Sequence, residues 1–519
     1  MLGILRSTCV RLSTMVVPAV LLVLHLCPAA RADWQDDIGY TQLKAELGKA
    51  VPTGAGVHVA HVEKGGPDKS QPLFAGKTFT YLGGMAADCP LPHATSVARF
   101  YYGNPDSQTP GITQIDLWDS HQFLTILDQN PNNAKVVNGP SPNETTALRQ
   151  LDYSIATYHH LNAGSFVRAG NPQVLAWAGF NGITVGNYAT GPSTNSAVDG
   201  HTVTPSIVGP PNSTVSWSVP MVSSAAALLL SHANTHGQTT AWDNPDTVIK
   251  AILMAGARKD AFNSWSRTPT QPLDLANGAG MLSTDNSYHI LAAGQQAASS
   301  SATVTGTGWD FAACSATGRK TCFFNLPAAA PFTAVLAWNR NVNKADWSCT
   351  LPHLKLELYK ATDFTLGSLV DQSVSATDNV QLIYETTLPP GRYAMVVTGD
   401  TDKQNYALAW QTAKVKAGDS APPAAPTEKQ APVAPAETQA TAADTFVGTV
   451  SATLRYKRPL LTVGATVYEL KAAENADPSV ADTLSKISKG EATGTYVFKG
   501  TKATVNNRAG LLVNSITKQ

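Results

Sequence analysis

Charge is scarce in this chain. Asp, Glu, Lys and Arg make up only 14% of its 519 residues, well below the usual quarter. The 37 basic and 37 acidic residues cancel, so no surplus of one sign points to nucleic acid or to an anionic membrane surface. Cysteine is also sparse, at six residues, which excludes a disulfide-built miniature scaffold. No cysteine spacing has the pattern of a zinc site, no acidic loop has calcium-ligand spacing, and no internal repeat is present. Metal binding is therefore left unassigned and no cofactor is required. Beyond the N-terminus no stretch is expected to be long and apolar enough to cross a bilayer.

What is present reads as an exported, multi-domain protein. Arg6 and Arg11 precede an apolar run from Met15 to Cys27, and Ala30-Arg31-Ala32 follows. These are the basic, hydrophobic and small-residue parts of a signal peptide, with cleavage expected before Asp33. Leu26 before Cys27 disfavours a lipoprotein anchor. The expected location is secreted, periplasmic or extracellular. Removal of the signal leaves Cys89, Cys314, Cys322 and Cys349, an even number in an oxidising compartment. Disulfides are expected, with Cys314 and Cys322 close enough in sequence to close a hairpin loop.

Residues 33–300 alternate strand and helix patterns. Val57–Glu63, Ala134–Asn138, Ser165–Asn171 and Gly182–Tyr188 read as short buried strands. Glu144–Leu161, Pro220–Asn234 and Pro245–Ala257 read as helices between or after them. This alternation predicts an α/β fold with a doubly wound parallel sheet. Residues 301–412 change to alternating runs such as TAVLAWNR, LKLELYKA and RYAMVVTG, which predict an all-β sandwich, with Trp338 and Trp347 more suited to its core than to ligand contact. The Pro/Ala-rich segment 413–443 reads as an extended linker. Residues 444–519 predict a small C-terminal β-rich, barrel-like domain with one helix at Ser479–Ser488.

Three stretches stand in an informative order: GAGVHVAHVEKGG (Gly54 to Gly66), HATSVARFYYG (His93 to Gly103) and TVSWSVPMVSSAAALLL (Thr214 to Leu230). Each resembles one of the three catalytic blocks of the subtilisin-like serine proteases. The first block has that family's Gly-x-Gly-Val-x-Val-Ala pattern at Gly54, Gly56, Val57, Val59 and Ala60, but ends on Glu63 where the family has Asp. In the second, Thr95, Val97 and Ala98 match and Ala94 replaces Gly. The third keeps Ser216 and Pro220 of Gly-Thr-Ser-x-Ala-x-Pro, while Thr214, Val215 and Ser218 replace the Gly, Thr and Ala. Asn171 closes SFVRAGN, which resembles the segment carrying the family's oxyanion asparagine. Taken alone, each residue has a plainer use: Ser216 as a helix cap, Glu63 as an ion pair with Lys64, Asn171 as a turn.

The resemblance spans residues 38 to about 295. It implies a subtilisin-like fold and a serine endopeptidase acting on peptide or protein substrates through an acyl-enzyme. Ser216 would be nucleophile, His93 base, Glu63 orienting acid and Asn171 oxyanion donor. The segment 301–412 is similar to the jelly-roll or pre-peptidase-like domains that follow bacterial members. The departures around Ser216, the glutamate at 63 and the short stretch between Asp33 and Gly54, which leaves no room for a chaperone pro-domain, frame the alternative: a catalytically inactive scaffold used as a secreted or cell-surface binding protein.

Overall fold

The computed structural model describes residues 34–87, 90–139, 145–165, 179–188, 197–198, 201–202, 205–412, 444–452, 459–463, 466–472, 478–489, 494–505 and 508–518. The signal segment, Cys89, Asn171 and the linker 413–443 lie outside the described residues. The chain forms two compact units, residues 1–416 and 417–519.

A short helix α1 (Trp34–Asp37) and α2 (Tyr40–Leu47) lead into strand β1 (His58–Glu63). The turn before β1 uses Gly54 at φ 79°, where a Cβ would fall 2.7 Å from Thr109 Cβ. Glycine alone fits both the backbone and the space. After β1 come β2 (Thr78–Leu82), α3 (Pro92–Tyr102), β3 (Gln114–Asp119), α4 (Ser120–Phe123), β4 (Val136–Gly139), α5 (Thr145–Tyr158), β5 (Leu161–Ser165) and β6 (Ile183–Gly186). A two-residue ladder joins β7 (Ala197–Val198) to β8 (His201–Thr202), and β9 (Ile207–Val208) precedes the long helix α6 (Val215–Thr235). The parallel sheet has the order β2-β3-β1-β4-β5-β6-β9. Its direction of growth reverses at β1, which pairs with β3 on one side and β4 on the other. This is the predicted α/β doubly wound sheet.

Side chains of β1 alternate between two cores, as the pleat requires. Val59 joins the larger core with Ala98 of α3 and Met221 and Val222 of α6. Ala60 and Val62 join a smaller one with Leu151 and Ile155 of α5. The strand expected at Ser165–Asn171 instead begins at Leu161. His159, at φ 49°, ends the α5 path early, and Leu161 and Ala163 then enter the core. Helix α6 is long and apolar enough to match a membrane span, contrary to the sequence expectation, but 83% of its most apolar window is buried inside the protein. It is a central core helix, its apolarity satisfied by the sheet and by α3.

Helices α7 (Thr239–Asp243), α8 (Lys250–Gly256) and α9 (Thr284–Ala292) complete this layer, and a π-helical turn over Pro245–Ile249 enters α8. The sandwich follows: β10 (Thr303–Val304), β11 (Thr307–Ala313), β12 (Arg319–Leu326), β13 (Ala330–Trp338), a small ladder of β14 (Asn341–Val342) and β15 (Cys349–Thr350), then β16 (Leu354–Thr362), β17 (Thr365–Ser373), β18 (Val380–Leu388), β19 (Gly391–Gly399) and β20 (Asn405–Thr412). One sheet has the order β10-β12-β19-β16-β17, the other β11-β20-β13-β18. Trp338 is wholly buried between them, while Trp347 is only half-buried, its ring edge-on to Tyr153.

The expected Cys314–Cys322 bridge is absent. The two residues do not flank a hairpin: β11 and β12 belong to different sheets, and Cys314 Sγ donates to the Thr401 carbonyl at 2.8 Å. Cys314 and Cys322 are free thiols.

The sandwich shares the core of the α/β layer. Val335 and Ala337 of β13, Leu382 of β18 and Ala407 and Ala409 of β20 pack into the same apolar cluster as Ile252, Leu253 and Ala255 of α8. Polar groups lock this seam. Arg340 Nε meets Asp152 Oδ2 at 2.6 Å, with the two side chains 2% and 0% exposed. Asp152 also accepts from the Asn181 backbone at 2.8 Å, and Lys250 Nζ donates to the Phe180 carbonyl. Burial lowers the Lys250 pKa to about 8.

The second unit is a closed barrel of β21 (Asp444–Ala452), β22 (Pro459–Val463), β23 (Thr466–Ala472), β24 (Gly494–Val505) and β25 (Arg508–Lys518), in the order β21-β22-β23-β25-β24. Helix α10 (Pro478–Lys489) packs Val480, Leu484 and Ile487 into one apolar cluster with Leu461 and Phe498.

Breaking the buried pair should be costly, because the partner's charge is then left desolvated. Arg340→Ala is expected to lower unfolding stability by about 3–5 kcal/mol in urea melts. The α/β layer and sandwich should still unfold in one shared transition, read together by far-UV circular dichroism and tryptophan fluorescence. Two separated transitions for these layers would contradict a common core.

Candidate active site

A doubly wound sheet opens a crevice at the carboxyl ends of its strands where the strand order reverses. Here that place is the end of β1, and its last residue is Glu63. Helix α3 brings His93 to the same place. Pro92 opens the helix, where its missing N–H costs nothing. His93 Nδ1 and Glu63 Oε1 are 3.2 Å apart, with side chains 52% and 21% exposed. Glu63 thus pairs with His93 rather than forming the plain surface ion pair with Lys64.

The electrostatics follow from this half-buried position. Burial pushes the Glu63 carboxyl above its ordinary value, against the opposing pull of His93 and the Lys64 backbone N–H. Behind it, His61 is fully buried on the same face of β1. Its Nδ1 lies 2.9 Å from the Tyr102 hydroxyl, and its Nε2 is buried with no partner among the described residues. Desolvation, then the nearby His93, lowers the His61 pKa to about 3. The sequence offered no signal for His61 beyond its period-two spacing from Glu63.

Ser216 is the second residue of α6 and half-buried. Thr214 holds the cap position without a side-chain cap bond, so Ser216 is not the helix cap. Pro220 lacks the N–H that would bond the Ser216 carbonyl, which loosens the first turn. Among the described residues Ser216 Oγ has no hydrogen-bond partner, and none joins it to His93. The neighbouring substitution at Ser218 is accommodated by Gly209: a Cβ there would fall 2.5 Å from Ser218 Cβ. Ser218 Oγ bonds to Ser213 Oγ at 2.7 Å.

Trp217, which sequence reasoning did not single out, lies on His93. The rings are 5.8 Å apart and inclined by 28°. Phe100 packs on Trp217 at 5.6 Å, and Trp34 packs edge-on to Phe100 at 5.8 Å. His93 and Phe100 share one flank of α3. The adjoining flank, with Pro92, Thr95 and Arg99, lines an open groove of about 470 Å³ together with Asp68 and Leu73.

The site therefore unites two of the four expected residues in direct contact, Glu63 and His93. Ser216 is one residue from the stack on His93, and Asn171 lies outside the described residues. Among the described residues one group could hold a metal: Glu46 of α2 with Asp285 and His289 of α9, ligand atoms within 4.8 Å of one another. It already forms an ion-pair clasp, His289 Nε2 lying 3.2 Å from Glu46 Oε2 and 3.4 Å from Asp285 Oδ1.

No protein-family profile matches the chain. No curated protein sequence matches it. Solved structures similar to it include prenylagaramide maturation protease PagA, at 21% identity over 48% of this chain and 98% of that one, with a TM-score of 0.34. Patellamide maturation protease PatA is similar at 20% identity over 46% and 100%, with a TM-score of 0.33. MycP1 from Mycobacterium smegmatis is similar at 16% identity over 50% and 86%, with a TM-score of 0.33. Overlaps this slight assign nothing by themselves; the functional reading rests on the crevice.

Buried neutral histidines make the fold acid-sensitive. The folded pKa of His61 and that of His160 are both lowered to about 3, by desolvation first. Above pH 6.5 both states are neutral and the stability is fully present. As pH falls from 6.5 toward 3, the unfolded chain takes up protons that the folded chain refuses. Stability then drops by up to about 1.4 kcal/mol per pH unit for each histidine. His61→Gln is expected to make the pH dependence of urea unfolding shallower in that window; an unchanged slope would show that His61 is not held neutral.

Proposed function

We propose that this chain is an exported serine endopeptidase of the subtilisin-like type, with Ser216 as nucleophile, His93 as general base, Glu63 as orienting acid and Asn171 as oxyanion donor. One observation carries the reading: the 3.2 Å contact of Glu63 Oε1 with His93 Nδ1 at the end of β1. A carboxylate on Nδ1 fixes the tautomer that leaves Nε2 free to take a proton. The ordered blocks around Gly54, His93 and Ser216 support the same assignment.

In this mechanism Ser216 Oγ attacks the substrate carbonyl and passes its proton to His93 Nε2. Glu63 holds the Nδ1–H and balances the imidazolium. The N-terminus of α6 places backbone N–H groups beside the developing oxyanion. Collapse of the tetrahedral intermediate hands the proton to the leaving amine and leaves an acyl-serine, which water hydrolyses by the reverse sequence. Glutamate reaches one methylene further than aspartate. Its raised pKa means that the carboxylate is lost to protonation at a higher pH than an ordinary glutamate.

Export is part of the proposal, supported by the N-terminal signal pattern and the low charge content. The sandwich is read as a jelly roll, because strands β11, β12, β13 and β16 through β20 distribute between its sheets in the order β11-β20-β13-β18 and β12-β19-β16-β17. A second reading, a non-catalytic binding scaffold, is favoured by the absence of a Ser216–His93 hydrogen bond. Catalytic hydrogen bonds often tighten only with substrate in place, so this absence does not decide the matter.

A fluorophosphonate probe separates the two. Labelling of the wild-type protein that vanishes in Ser216→Ala supports the protease. Glu63→Gln should cut turnover by about 10⁴-fold. Folded protein that never labels and never cleaves denatured substrate would favour the scaffold.

A further inference from the structure

The contact between Trp217 and His93 has no part in the four-residue mechanism, yet it lies at the centre of the crevice. A histidine held only through Nδ1 can still swing about that one bond. At 52% exposure, the His93 ring is not packed in place by the sheet beneath it. The face that Trp217 covers, at 5.8 Å and 28°, supplies the missing restraint. A stacked aromatic pair restrains the ring plane as well as burying area. Trp217 is itself held by Phe100 at 5.6 Å, and Phe100 by Trp34 in α1. The four rings form one continuous line from the N-terminal helix to the imidazole.

We propose that Trp217 is the positioning residue for His93. Its indole, backed by Phe100 and Trp34, sets the imidazole plane so that Nδ1 stays on Glu63 while Nε2 is presented for proton transfer. Because Trp217 directly follows Ser216 on α6, the same helix carries nucleophile and restraint, and any shift of α6 moves both together. The catalytic part of this inference rests on the protease reading; the stack itself does not. Glu63 and Lys64 at the end of β1, His61 beneath and Tyr102 of α3 are the titratable groups around His93.

Two measurements on the full chain test it. Protonated imidazole stacked on an indole changes the indole emission, and the chain has ten tryptophans. The difference in fluorescence between wild type and Trp217→Phe should therefore titrate with pH, and the titration should disappear in His93→Ala. A difference signal that stays flat, or that survives His93→Ala, overturns the stack. In the second measurement, Trp217→Ala should slow fluorophosphonate labelling by about 10- to 100-fold, the scale of a 1 Å misplacement. Trp217→Phe should restore the rate to within a few-fold, and Trp34→Ala should give a smaller loss.

The midpoint of the pH–rate profile should also move in Trp217→Ala, which a mere fall in the folded fraction cannot produce. Labelling of Trp217→Ala at the wild-type rate, or slowed labelling with an unmoved midpoint, overturns the positioning role. If the fluorescence titrates and no variant labels, wild type included, the protease reading fails and the catalytic role of Trp217 fails with it, while the stack stands.

Discussion

A parallel sheet that grows outward from its first strand in both directions must leave a gap above that strand, because the connections on its two sides lead away from each other. Here the gap lies over the end of β1. Three ionisable side chains of the α/β layer gather around it. A glutamate takes the last strand position, a histidine the first turn of the helix on one side, and a second histidine is sealed below. The carboxylate cannot be fully solvated there, so it needs the imidazole as much as the imidazole needs it. Each partner would be poorer alone: Glu63 would be a half-buried charge without compensation, and His93 a mobile ring on an exposed helix end.

The parts of this arrangement that follow from local pattern could be read in the sequence. The short apolar run from Val57 to Val62, and the helical spacing within α5 and α6, point to the class of sheet. Glu63 and His93 were visible because each sits beside small residues and glycines in a particular order. His61 and Trp217 were not visible, for a shared reason. Their environments are made by other elements, Tyr102 of α3 for one and Phe100 with Trp34 for the other, and no spacing along the chain encodes those meetings. Leu161 shows a different limit. A helix and a strand that are both apolar and adjacent have no pattern boundary between them, and only the left-handed His159 marks where one stops.

The cysteines failed as a guide for a related reason. Closeness in sequence implies closeness in space only when two residues flank one hairpin. Strands β11 and β12 belong to different sheets, so Cys314 and Cys322 do not face each other across a hairpin. Cys314 instead bonds to the Thr401 carbonyl, satisfying a backbone acceptor that a disulfide would have left open.

The seam between α8 and the sandwich carries one more implication. Ile252, Leu253 and Ala255 find their apolar neighbours on β13, β18 and β20, strands made well after α8 leaves the ribosome. A fragment that ends before β20 would therefore carry α8 with its apolar face uncovered, so residues 33–300 are expected to need residues 301–412 in order to fold.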